Sequence, residues 1–166
     1  MGKGAGSPGR QATLWYTSAM VLYGATHCVG DAISTADIIA PEHAGAGDPA
    51  VLAAHCLERI DPAIAEAARA GDILLAGRAF GRAPADGAPD RDTAVLALQA
   101  AGLAAVICAS ADPLFVEAAA TYGLPVLECP AAPIGIAPGA IVRIDLARGT
   151  ITDRGSGAAF QASACP

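Results

Sequence analysis

The stretch that most constrains this chain is residues 71–128, which read as strand, long glycine-rich loop, helix, strand, helix, strand. Residues 73–76 (ILLA) form a short apolar run closed by Gly77, the pattern of a strand buried on both faces. Residues 104–108 (AAVIC) and 125–128 (PVLE) repeat it. Between the first two runs, residues 92–101 place Val95, Leu96, Leu98 and Ala101 near helical spacing, and Gly102 supplies the stop. Between the last two, Asp112-Pro113 gives a cap followed by a proline at the first helical position, and this helix ends at Tyr122-Gly123. Two βαβ crossovers in a row imply parallel strands with right-handed connections. The loop over residues 77–90 is too long and glycine-rich for a simple connector, and it leaves the C-terminal end of a parallel strand, where such folds place ligands.

The rest of the composition narrows the class. The chain has 166 residues, the length of one domain. A hydrophobic fraction of 54%, much of it alanine, makes a core of small side chains. A net charge of −6 without a basic stripe argues against nucleic acid, whose phosphates need clustered Lys and Arg. No apolar run approaches the roughly 20 residues that span a bilayer, and residues 14–23 lack the marks of a secretory signal. No membrane partner is expected, and a cytoplasmic location is. Cysteines 28, 56, 108, 129 and 165 form no C-x-x-C pair, so neither a zinc site nor a disulfide framework is encoded. Cys108 and Cys129 read as small core residues, and the same spacing speaks against a cluster held by this chain alone.

Along the chain, residues 1–19 read as a disordered leader in which Trp15 and Tyr16 could still dock on the body. Residues 20–154 form the domain, and residues 155–166 read as a loose C-terminal tail. Residues 21–29 are extended, and a polar loop without strong periodicity, GDAISTADIIAPEHAGAG, follows. Asp48-Pro49 and Asp61-Pro62 open two further helices with the same cap chemistry as Asp112-Pro113. Residues 141–146 alternate, Ala147-Arg148-Gly149 turns, and residues 150–152 complete a hairpin.

These stretches, in this order, resemble the small subunit of 3-isopropylmalate dehydratase, the swivel domain of the aconitase superfamily. GDAISTADII is similar to that family's G-D-x-I-x-T-D-x-I, and GDILLAGRAFG to its G-D-I-x-x-A-G-x-x-F-G. RDTAVLALQAAGLAAVI resembles R-E-H-A-x-x-A-L-x-x-A-G-I-x-A-V-I, YGLPVLE resembles N-G-L-P-L-L-E, and IVRIDLARGTIT resembles the closing hairpin. The resemblance implies a swivelling β/β/α domain with a mainly parallel central sheet. It also implies a hydro-lyase that acts on a hydroxy di- or tricarboxylate and is inactive until it meets a large subunit bearing a [4Fe–4S] cluster. On that reading this chain binds no cofactor itself; its partners are the large subunit and a small hydroxy-carboxylate, with self-association open to the isolated chain. The alternative is a diverged, non-catalytic carboxylate-binding or scaffold relative.

The family's loop, F-G-x-G-S-S-R-E-H, supplies a serine base and an arginine that clamps a carboxylate. Here Phe80-Gly81 are followed by RAPADGAPD before Arg91-Asp92-Thr93, and no serine occurs between Ser34 and Ser110. The base position is therefore unassigned, with Asp90, Asp92 and Thr93 as weak candidates. Capping the helix accounts for Asp90 and Asp92 without any catalysis and is the preferred reading of both. Arg91 holds the clamp position, although an ion pair with Asp86, Asp90 or Asp92 would also account for it. Arg82 and Arg78 flank the loop and could join an anion site, with Arg82 the substrate-binding candidate. Thr35 keeps the family threonine, followed by Ala36, with Asp37 as a shifted acid. His43 lies in a segment that shapes selectivity in the family, so it either faces ligand or sits on a surface loop. His27 and His55 read as structural.

Overall fold

The computed structural model describes residues 20–84 and 89–164. The expected leader over residues 1–19, with Trp15 and Tyr16, and the suggested ion-pair partner Asp86 lie outside the described residues.

Four strands run parallel: β1 (Val21–Cys28), β2 (Asp72–Ala76), β3 (Leu103–Cys108) and β4 (Val126–Glu128). Four short helices, α1 (Thr35–Ile38), α2 (Pro41–Ala44), α3 (Pro49–His55) and α4 (Pro62–Ala67), fill the connection from β1 to β2. Helix α5 (Arg91–Ala100) links β2 to β3, and α6 (Pro113–Thr121) links β3 to β4. After α7 (Ala132–Gly135), the strands β5 (Ile141–Asp145), β6 (Thr150–Asp153), β7 (Ala159–Gln161) and β8 (Ser163–Ala164) pair antiparallel. The order across the sheet is β7-β6-β5-β1-β2-β3-β4-β8.

The expected sheet and hairpin are present, with one parallel crossover more than the two read from residues 71–128, because β1 lies in register beside β2. The aspartate-proline signals act as read. Asp48, Asp61 and Asp112 each accept a bond from the backbone N–H two residues on, ahead of a proline that needs no partner. The polar loop after β1 contains two single-turn helices, too short to show a period. The first is fixed by a reciprocal capping box between Ser34 and Asp37.

Period-2 alternation divides the core. Leu74, Ala76, Val106 and Val126 face one layer with Leu52, Leu98 and Phe115 from the helices. Ile73, Leu75, Ile107 and Leu127 face the other, together with Val142, Ile144 and Ile151 from the antiparallel strands. Residues from distant parts of one sheet share this second layer because the sheet curls.

The C-terminal segment shows how far it curls. Strand β7 pairs with β6 at one edge of the sheet and β8 pairs with β4 at the other, with only the buried Ala162 between them. One segment therefore ties both edges together. Within the described residues, these strands correct the reading of this segment as a loose tail, and they cover both sheet edges with short strands.

Candidate functional site

The parallel strands end on one side of the sheet, and the segments leaving them are bonded to one another. Gly77 N–H donates to Gly30 O at 3.1 Å, and Ala32 N–H to Arg78 O at 2.7 Å. Gly81 N–H donates to Ile33 O at 2.7 Å, and Thr35 N–H to Arg82 O at 3.0 Å. On the other flank, Phe80 N–H donates to Ser110 O at 3.0 Å, and Asp112 N–H to Phe80 O at 2.9 Å. Ser110 Oγ accepts from Ala79 N–H at 2.9 Å, and Glu128 at the end of β4 accepts from Ala111 N–H at 2.9 Å. The first part of the glycine-rich loop is thus a strip held between residues 33–35 and 110–112.

Two glycines make this close approach possible. A side chain at Gly77 would collide with the Asp31 carboxylate. Gly81 has φ of +84°, and a side chain there would enter the ring of Phe115, itself packed edge-on against Phe80 at 5.2 Å. Ala32 and Ala79 adopt left-handed backbone conformations, φ 58° and 59°, that non-glycine residues rarely hold. Both line a cleft of about 200 Å³ with Ser34, Arg82 and Pro84. Strained backbone of this kind concentrates at functional sites.

Arg91 opens α5. Its Nη2 donates to Asp112 Oδ2 at 2.9 Å, so its ion pair runs to the cap of α6 and not to Asp90 or Asp92. The partner comes not from the loop but from 21 residues away, brought in by the fold. Two buried side-chain polar atoms among the described residues have no hydrogen-bond partner: Arg91 Nε and Thr35 Oγ1. Thr35 begins α1, which packs against α5.

The remaining candidates separate. Asp90 caps α5, and its hydrogen bonds from the Thr93 side chain and N–H hold its carboxyl below the ordinary value. Asp92 lies with Arg91 on a groove of about 270 Å³ between α5 and α6. Thr93 faces a different groove, of about 390 Å³, against Ala44, Pro49 and Leu52. Arg82 is exposed at the cleft with Ser34, and Arg78 pairs with Asp31 at 3.5 Å. His43 stacks on His55, and among the described residues no hydrogen bond or ion pair links it to Arg91, Arg82 or Thr35. His27 pairs with Asp72 at 2.8 Å. No serine lies within the loop, so the loop's own residues do not point to one. Ser34 and Ser110 reach it from either side through contacts that no local pattern encodes.

The chain is 36% identical over 147 residues to the 3-isopropylmalate dehydratase small subunit of Moorella thermoacetica, covering 89% of this chain and 86% of that one. It is 38% identical over 137 residues to the 2,3-dimethylmalate dehydratase small subunit of Eubacterium barkeri, covering 82% and 81%. The crystal structure of a 3-isopropylmalate dehydratase from Methanocaldococcus jannaschii superposes with a TM-score of 0.80 at 30% identity, over 87% of this chain and 83% of that one. No family model matches the sequence.

The chain belongs to the 3-isopropylmalate dehydratase small-subunit family.

As a member of that dehydratase small-subunit family it has the expected swivel-type fold. Its described cysteines do not fit an iron–sulfur cluster. Cys56 and Cys108 lie in one core layer, whereas Cys129 and Cys28 lie in or against the other. Burial pushes the Cys56 thiol up to about 12 and raises that of Cys28, which opposes the thiolate a cluster needs. No helix among the described residues is long and apolar enough to cross a membrane.

Proposed function

We propose that this chain is the small subunit of an aconitase-type hydro-lyase, that it closes over a large subunit carrying the [4Fe–4S] cluster, and that it helps hold a hydroxy di- or tricarboxylate. The observation that carries the reading is a pair of buried donors that have no hydrogen-bond partner among the described residues, Arg91 Nε and Thr35 Oγ1, on two helices that pack together. A buried donor left unmade costs about 1–3 kcal/mol, so a native fold keeps one where a ligand or partner completes it. A carboxylate accepts from both donor types, and the guanidinium fork offers Nε and an Nη together. Asp112 holds the Arg91 charge at Nη2, and Nε has no hydrogen-bond partner among the described residues.

The proton chemistry falls to a residue outside the loop. Ser34 is the one serine on the strained cleft among the described residues, and its Oγ donates to Asp37 Oδ2 at 3.0 Å. In this reading Ser34 Oγ takes the substrate proton as its own passes to Asp37.

Reconstitution with the cluster-bearing large subunit tests the proposal, with dehydration of 3-isopropylmalate, 2,3-dimethylmalate and citrate followed by absorbance of the new double bond. Turnover of at least one acid is expected from the complex and none from this chain alone. Ser34→Ala should lower kcat more than it changes KM. A well-assembled complex silent on the whole panel would favour the non-catalytic relative.

A further inference from the structure

We infer that His43, His55 and Glu58 form a binding site for a divalent transition-metal ion such as Zn²⁺, independent of the carboxylate site. His43 lies in α2, His55 closes α3, and Glu58 follows in the next turn. The two imidazoles stack with centroids 3.6 Å apart and planes within 4°. Glu58 reaches both rings, with Oε1 2.7 Å from His55 Nδ1 and Oε2 3.7 Å from His43 Nε2. One ligand atom from each residue lies within 4.8 Å of the others. Tetrahedral bonds of roughly 2.0–2.1 Å bring ligand atoms to about 3.3 Å of one another. The side chains, 26–42% exposed, have room to close that gap by rotation.

The donor set is chemically specific. Two imidazoles and one carboxylate suit zinc, cobalt and nickel, and leave a coordination position open to water. The nearby thiol does not compete, because Cys56 is fully buried in the core. The backbone between His55 and Glu58 takes an unusual turn. Leu57 is fully buried, takes the left-handed conformation at φ 58°, and donates its N–H to Ile38 O at 2.7 Å. A leucine in that conformation is a genuine outlier. It drives Leu57 inward and returns Glu58 to the surface beside His55. Arg59, the nearest cation in sequence, is engaged by Glu42 at 3.8 Å. An ion here would pin α2 to the end of α3 and fix one wall of the groove that Ala44, Pro49 and Leu52 share with Thr93.

The test uses the untagged full chain stripped with a chelator and titrated with Zn²⁺ by calorimetry, with a parallel Ni²⁺ titration followed through the imidazole NMR signals. One saturable equivalent is expected, with broadening confined to His43 and His55. His55→Ala and Glu58→Gln should each weaken binding by about tenfold or more. Absence of saturable binding, broadening centred on His27, or unchanged affinity in a folded His43→Ala/His55→Ala variant would overturn the assignment. The NMR titration of the wild-type chain decides the matter even if a variant fails to fold.

Discussion

Arg91 donates from Nη2 to Asp112 Oδ2 at 2.9 Å, and that bond joins the first residue of α5 to the residue that caps α6. Asp112 also accepts from Leu114 N–H through Oδ1 at 3.1 Å. The two roles can be separated by substitution. Asp112→Ala removes cap and counter-charge and should cost about 1–3 kcal/mol, the sum of a cap and a partly exposed ion pair. Asp112→Asn keeps a good cap and should lose less than about 1 kcal/mol. Urea unfolding of the two variants checks this, and equal losses would mean the ion pair dominates.

Thr35 gives a sharper case of function opposed to stability. Its Oγ1 is buried and has no hydrogen-bond partner among the described residues. Thr35→Val removes a hydroxyl that the isolated chain does not satisfy, so the variant should be as stable as wild type or up to about 1 kcal/mol more so. Turnover in the assembled complex should nevertheless fall. A destabilised variant would show that the hydroxyl is satisfied within the fold.

How much of this was legible in the sequence follows from the range of the contacts. The crossovers around α5 and α6, the three aspartate-proline starts and the hairpin from Ile141 onward depend on neighbours in the chain, and they read correctly. Strands β7 and β8 did not, because AAFQASA carries small residues and a single aromatic, and its pairing is decided by where the two sheet edges meet. The proposed site follows the same rule. Its candidates Arg91 and Thr35 stand out by motif position, whereas the Asp112 partner and the serines flanking the loop come together only through the fold. His43 was read as a ligand-facing or surface residue, and its stacking on His55 depends on the buried turn at Leu57.

Acid stability should report the link between β1 and β2. Burial raises the Asp72 carboxyl, but the side-chain bond from His27 and the N–H groups of Arg69 and Ala25 outweigh it and hold the group below 3.8. A carboxyl depressed in the folded state stabilises when ionised. The contribution is present above about pH 3.8 and is lost as pH falls through the folded value. Melting temperature should therefore drop more steeply below pH 4 for wild type than for Asp72→Asn, which is already weaker at neutral pH by about 1.5–3 kcal/mol. Parallel acid profiles would remove His27–Asp72 as a stabilising pair.

Strands β7 and β8 make residues 159–164 part of the fold. Phe160 packs against the second core layer, with its ring close to Gly135. Phe160→Ala should cost roughly 1–3 kcal/mol, and ending the chain at Ala158 should cost more, since both edges then lose a strand. Thermal melts read both effects. A truncated chain that melts with wild type would restore the loose-tail reading.

The most direct test of the account is the steady-state kinetics of Arg91→Lys in the complex with the cluster-bearing large subunit. Lysine keeps the charge and loses the fork, so it cannot reproduce a paired Nε and Nη contact with a carboxylate. A charge-assisted bond of about 1.5–3 kcal/mol implies a fall in kcat/KM of roughly tenfold or more. The account predicts that fall, with assembly and melting temperature close to wild type. A variant complex that turns over substrate as fast as wild type would contradict it.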